Sequence, residues 1–98
     1  MKCGGTGEVI AATDEIKGMV LQLLESVNKK TGKNYNELTA LHYVSQVVAG
    51  TNFFVKVKAN DGSILHLRIF KPLPHTGADP ELSDVQENKT EEEPVTYF

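Results

Sequence analysis

One amphipathic helix followed by hairpin-connected strands predicts the α+β class, an antiparallel sheet laid against a single long helix. Three observations carry this expectation. Ile16, Met19, Val20, Leu23, Leu24 and Val27 recur at helical spacing. Phe53, Val55, Val57 and Ala59, and then Leu65, Leu67 and Ile69, fall on alternate positions of two later segments, the pattern of half-buried strands. Between those segments stands Asn60-Asp61-Gly62, which has turn chemistry.

Length and composition bound the rest. Ninety-eight residues, 40% of them hydrophobic, are expected to make one domain with a small core. No apolar run reaches the roughly 18 residues of a membrane span, and no basic start followed by an apolar run marks a secretory signal. Cys3 is the single cysteine, so no internal disulfide forms, and the cytosol is the expected compartment. The net charge is −3, but from Asp79 onward seven acids face one basic residue, Lys89, leaving +3 for residues 1–78. Neither half has a dense basic patch with interleaved aromatics, so nucleic acid is not an expected partner, and the acidic run reads as a solvated surface.

The chain opens on Met1–Gly7, rich in glycine and without apolar period, which reads as a flexible arm. A helix is expected from Asp14 to Thr31, with Thr13 as N-cap, Asp14 and Glu15 in the first turn, Lys29 and Lys30 at the negative end and Gly32 as left-handed cap. From Leu38 to Ser45 the chain is strand-like with poor alternation: either Leu41 and Tyr43, or Leu38, Ala40 and Val44, face the helix. With the Leu41/Tyr43 face, pairing Tyr43 with Phe53 and Leu41 with Val55 leaves Gln46–Gly50 as a five-residue hairpin tip. Apolar Val47 and Val48 at a tip have nothing in their own domain to pack against, the mark of a contact surface; the alternative is the end of a buried strand.

The next hairpin obeys the same parity. Matching Leu65, Leu67 and Ile69 to Val57 and Val55 requires an odd loop, and Asn60-Asp61-Gly62 supplies three residues with Gly62 at the positive-φ position. After the strand Ile64–Lys71, two prolines in Lys71–Gly77 end the sheet and stiffen a loop. Glu81–Asn88 is weakly strand-like through Leu82 and Val85. Lys89–Pro94 is polar and mobile, and the apolar Val95–Phe98 is expected to pack back onto the domain.

Gln46-Val47-Val48-Ala49-Gly50 followed by Thr51-Asn52-Phe53-Phe54 resembles the first inhibitory loop of the cystatins, reversible inhibitors of papain-like cysteine proteases. The single helix before the strands, Leu73-Pro74-His75, the glycine at Gly4 and the ending Thr96-Tyr97-Phe98 extend the resemblance to the stefin (type 1) branch. Lys2 departs from the apolar residue often found there, and the Pro-Trp pair of other cystatins is missing. The resemblance implies a cystatin-like antiparallel sheet of four to five strands wrapped around the helix. It implies that Gly4, the tip Gln46, Val47, Val48, Ala49 and Gly50, and the loop Leu73, Pro74 and His75 form a wedge. The wedge would enter the cleft of papain-like proteases, including cathepsins, and cover the catalytic pair with no bond cut.

No catalytic chemistry is legible. Cys3 lies in the arm, where no base is held beside it. His42, His66 and His75 share no ligand spacing, and no second cysteine exists, so neither metal nor cofactor is expected. Two other readings keep the fold: a non-inhibitory cystatin-fold module binding another protein through the same edge, and a structural protein that exchanges strands at the Gln46–Gly50 hairpin. A monomer is expected, with a domain-swapped dimer as the accessible alternative.

Overall fold

The computed structural model describes residues 9–73, 77–96 and 98. A short strand β1 (Ile10–Ala11) precedes the helical segments α1 (Asp14–Gln22) and α2 (Leu24–Thr31); then come β2 (Leu38–Val48), β3 (Gly50–Ala59), β4 (Ile64–Lys71) and β5 (Glu81–Lys89). The five strands form one antiparallel sheet in sequence order. The α+β class holds, with two refinements.

First, the helix is not continuous. Its start is as expected, with Thr13 Oγ1 accepting the Ile16 N–H at 3.3 Å, and so is its end, where Gly32 is left-handed at φ 71°. Between them Leu23 leaves helical geometry (φ −100°, ψ 7°) and shares its N–H between the carbonyls of Met19 and Val20. The Val27 N–H still reaches Leu23 O at 2.9 Å, so the ladder bends without breaking. α1 packs on β2 and α2 on β5. Strand direction rotates across a twisted sheet, so a straight rod would not follow both.

Second, the uneven alternation of residues 38–45 is a β-bulge. Leu38, Thr39 and Ala40 pair with Ala59, Lys58 and Val57, whereas His42 and Tyr43 pair with Lys56 and Val55, which leaves Leu41 as the extra residue. A bulge reverses the parity of a strand. Leu38 and Ala40 therefore face the helix before it, and Tyr43 faces the helix after it, while Val44 points to the opposite face. Each of the two sequence alternatives is right for one side of Leu41.

The β3–β4 hairpin matches expectation. Val57 pairs with Leu65 and Val55 with Leu67, Ala59 N donates to Ser63 O at 2.8 Å, and Gly62 has φ 89°. Asp61 Oδ1 accepts the Ser63 N–H at 2.9 Å, which holds that carboxyl below the usual range.

Two cores result. The larger joins Ile16, Met19, Val20, Leu23 and Val27 to Val55, Val57, Leu65, Leu67 and Ile69. On the outer face Val44, Phe54 and Val95 are buried with Phe98 packed against them. Val95 and Phe98 thus fold back as expected, with Phe54 and Phe98 edge-on at 5.7 Å and Arg68 Nη1 donating to Phe98 O at 2.5 Å. The acidic side chains of the segment before them are solvated as expected, Glu91 and Glu92 being exposed, but its backbone is tied down. Thr90–Glu93 forms a turn, with Thr90 N donating to Glu93 Oε1 at 2.9 Å, and its backbone carbonyls at Glu91 and Glu93 receive the buried Lys56 ammonium. A buried ammonium needs such partners, and this turn supplies them.

Candidate functional site

Register alone gathers three segments at one end of the sheet. β2 ends at Val48 and β3 begins at Gly50, so their hairpin tip lies at that end. Lys71, the last residue of β4, pairs with Thr51, so Pro72 and Leu73 leave the sheet beside the tip. β1 is antiparallel to β2, with Ile10 opposite Tyr43, so Val9 lies on the side of β1 nearer the tip.

The tip is tighter than expected. Tyr43 pairs with Val55 and Ser45 with Phe53, two residues from the expected register, and pairing continues through Gln46–Asn52 and Val47–Thr51 to Val48–Gly50. Only Ala49 stands outside the ladder. A five-residue loop would leave the backbone polar groups of Gln46–Val48 without ladder partners; pairing them satisfies those groups. The faces are unchanged because a shift of two preserves parity, and the Tyr43 and Phe53 rings still meet at 5.8 Å.

Within this ladder, successive side chains point to opposite faces. Val47 and Val48 therefore project on the two sides of a narrow ribbon, 83% and 45% exposed. Gln46 is half-buried and its Oε1 accepts from Asn52 Nδ2 at 3.4 Å. Ala49 is exposed. Gly50 is not: it is buried, with φ 123°, and a Cβ there would lie 2.7 Å from Lys71 O. Gly50 shapes the tip rather than presenting a surface. Leu73 is 40% exposed. Gly4, Pro74 and His75 lie outside the described residues.

The large exposed apolar side chains among the described residues are unevenly placed. Val47, Val48 and Leu73 stand at this end, with Val9 and Ile10 at the start of the strand leading from it; only Leu21, on α1, is elsewhere. A shallow recess between the two loops is lined by Glu15, Gly50, Thr51, Phe53, Lys71, Pro72 and Leu73. The Glu15 carboxylate pairs with the Lys71 ammonium across its rim. Both groups are solvent-facing, so the pair contributes under about 1 kcal/mol. Such a surface offers burial and shape; among the described residues no group of three His, Cys, Asp or Glu is arranged to hold a metal.

Sequence reasoning missed β1. The unbroken apolar run Val9-Ile10-Ala11-Ala12 was the available signal. Lys56 and His66 alternate with the core-facing residues of their strands and yet are buried, at 5% and 2% exposure. Burial pushes the His66 pKa down to about 4, helped by the Lys56 and Lys89 ammonium groups and opposed by the Glu93 carboxylate.

Comparison with known proteins points one way. The Cystatin domain family matches residues 4–92. Cystatin-B of Macaca fuscata fuscata is 40% identical over 98 residues, all of both chains. Cystatin-A of Homo sapiens is 39% identical over 95 residues, 97% of each chain. Among solved structures, a secreted type 1 cystatin from Fasciola hepatica superposes with a TM-score of 0.70 at 25% identity, covering 86% of this chain and 95% of that one.

Proposed function

Because this chain belongs to the cystatin family, in its stefin branch, we propose that it is a reversible, non-covalent inhibitor of papain-like cysteine proteases that blocks the active-site cleft with the loop-bearing end of its sheet. It is an inhibitor and not an enzyme. The observation that supports the mechanism most is the gathering of Val47, Val48 and Leu73 at one sheet end, exposed although apolar. Exposed apolar side chains gathered at one end in this way mark an interaction site.

In this reading Val47 and Val48 bury against opposite walls of the cleft, because the paired ribbon sends them to opposite sides. Ala49 leads, small enough to approach the catalytic cysteine and histidine without a side chain to displace. Gln46 and Gly50 keep the ribbon's shape, and Leu73, Pro74 and His75 form the second contact. Gly4 and its neighbours supply a third, where the absence of a Cβ permits close backbone approach. Binding covers the catalytic pair without presenting a peptide bond to it, so no turnover follows. Cathepsins are the proposed targets, the cytosol the proposed location and a single-domain monomer the proposed state; fractionation of expressing cells and size exclusion test the last two.

Titrating papain activity with purified protein is the direct test. Stoichiometric loss of activity is expected, and full activity at excess protein would sink the inhibitory reading in favour of a non-inhibitory binding module. Two variants refine it. Val48→Asp places a charge where a valine must lose water, and should weaken binding by about 2 kcal/mol or more, the scale of an interface hot spot. Folding stability should change by under about 1 kcal/mol, since Val48 is 45% exposed. Loss of several kcal/mol of folding stability would identify Val48 as core instead. Deleting Met1–Gly5 should leave the melting temperature unchanged and speed dissociation from papain about tenfold, because interface losses fall mostly on the off-rate. Equal off-rates would leave the two loops as the whole site.

A further inference from the structure

We propose that Phe70, which is outside the contact surface described above, is a positioning residue that holds the first hairpin tip and the second loop in fixed relation. The inference rests on the inhibitory reading. Even-numbered residues of β3 and β4 face the outer side of the sheet near the tip, opposite to the Phe53–Ile69 pair of the core face. Gln46, Asn52 and Phe70 form one cross-strand row there, since Gln46 pairs with Asn52 and Asn52 with Phe70. From this row the Phe70 ring leans toward the tip. A Cβ built on Gly50 would fall 2.8 Å from its Cζ and 2.9 Å from its Cε1. The ring therefore occupies the place where a side chain at position 50 would stand, and the Gly50 backbone rests on it.

Phe70 also directly precedes Lys71-Pro72-Leu73, and the Lys71 carbonyl oxygen lies 2.7 Å from the same Cβ position. One aromatic residue thus props the underside of the first loop while its own backbone leads into the second. The proline after it keeps that exit stiff. Phe70 belongs to neither buried cluster and is only half-buried, so folding does not depend on it as it does on Phe54 or Ile69. A surface that engages through two loops at once needs their spacing set in advance, because ordering them on binding would weaken the complex.

The test measures release of papain from preformed complexes of the wild type, Phe70→Ala and Phe70→Leu, with a thermal melt of each. Phe70→Ala is combined with Val48→Ala and, separately, with Leu73→Ala. Positioning predicts release about tenfold faster for Phe70→Ala, substantial recovery in Phe70→Leu, and double variants that lose less than the product of the single losses, since each loop's contacts are already compromised. Strictly multiplicative losses in both cycles would make Phe70 an independent contact or a bystander and overturn the inference. Unchanged release from Phe70→Ala, with inhibition by the wild type intact, would overturn it alone. Failure of the wild type to inhibit papain would overturn the inhibitory reading beneath it. Should Phe70→Ala not fold, the same cycles run with Phe70→Leu decide between these outcomes.

Discussion

Acidification from about pH 7 to pH 4 should remove about 3 kcal/mol of folding stability through His66 alone. The imidazole is buried on β4, paired in register with Lys56 of β3 and Gln86 of β5; among the described residues its Nε2 has no hydrogen-bond partner, and its pKa is lowered from 6.5 to about 4. Burial is the main cause. The ammonium groups of Lys56 on β3 and Lys89 on β5 add to it, and the Glu93 carboxylate in the turn opposes it. The folded pKa lies below the unfolded one, so protonation favours the unfolded chain. The His66 contribution is complete above about pH 6.5 and is lost progressively as pH falls toward 4. Glu93 and Asp61, whose carboxyls are held below their ordinary range, add their own loss only toward the acid end of that window.

Denaturant titrations at pH 7, 6 and 5 isolate His66 from those carboxylates, and about 2 kcal/mol should disappear by pH 5. His66→Leu removes the titrating group and should flatten the dependence across the same interval. A wild type as flat as the variant would mean that the imidazole finds solvent or a partner on protonation.

Gly50→Ala should destabilise the fold by about 3 kcal/mol, the sum of a positive φ forced on an alanine and an overpacked contact. The backbone at Gly50 has φ 123°, and the added Cβ would sit 2.7 Å from Lys71 O and under 3 Å from two Phe70 ring atoms. A ring can swing aside, but a strand carbonyl paired with its neighbours cannot. Chemical denaturation measures the loss, and papain release at a temperature where the variant stays folded measures the displaced tip. Gly62→Ala, also at positive φ but with open space around the Cβ position, separates the two causes. It should cost only the conformational part, about 1 kcal/mol. Equal losses at both glycines would show that crowding at position 50 contributes nothing.

Some of the register was legible because parity is arithmetic. The apolar sets Val55, Val57 and Leu65, Leu67 could share a face only across an odd loop, and Asn60-Asp61-Gly62 was the one on offer. The first hairpin lacked such a constraint. A shift of two residues keeps every face and changes only how much backbone is paired, so the side-chain pattern was silent between a five-residue loop and the tight tip at Ala49. The bulge at Leu41 was hidden for a related reason. It joins two half-strands of opposite parity, and an alternation read as continuous breaks at the point where the bulge operates.

The sequence by itself determined the α+β class, the helix ends at Thr13 and Gly32, the β3–β4 turn and the exposure of Val47 and Val48. These follow from local chemistry: a capping hydroxyl, a glycine at positive φ, alternation and loop parity. The tertiary structure alone decided what covers the outer face of the sheet. Lys56 and His66 alternate with core residues as solvent-facing side chains do, yet the turn Thr90–Glu93 and the residues after it bury both. The tertiary structure alone also placed Phe70 over Gly50, from strands that are not adjacent in the chain at that point. Burial of a polar face and contact between distant residues depend on where the rest of the chain returns, and no local pattern records that path.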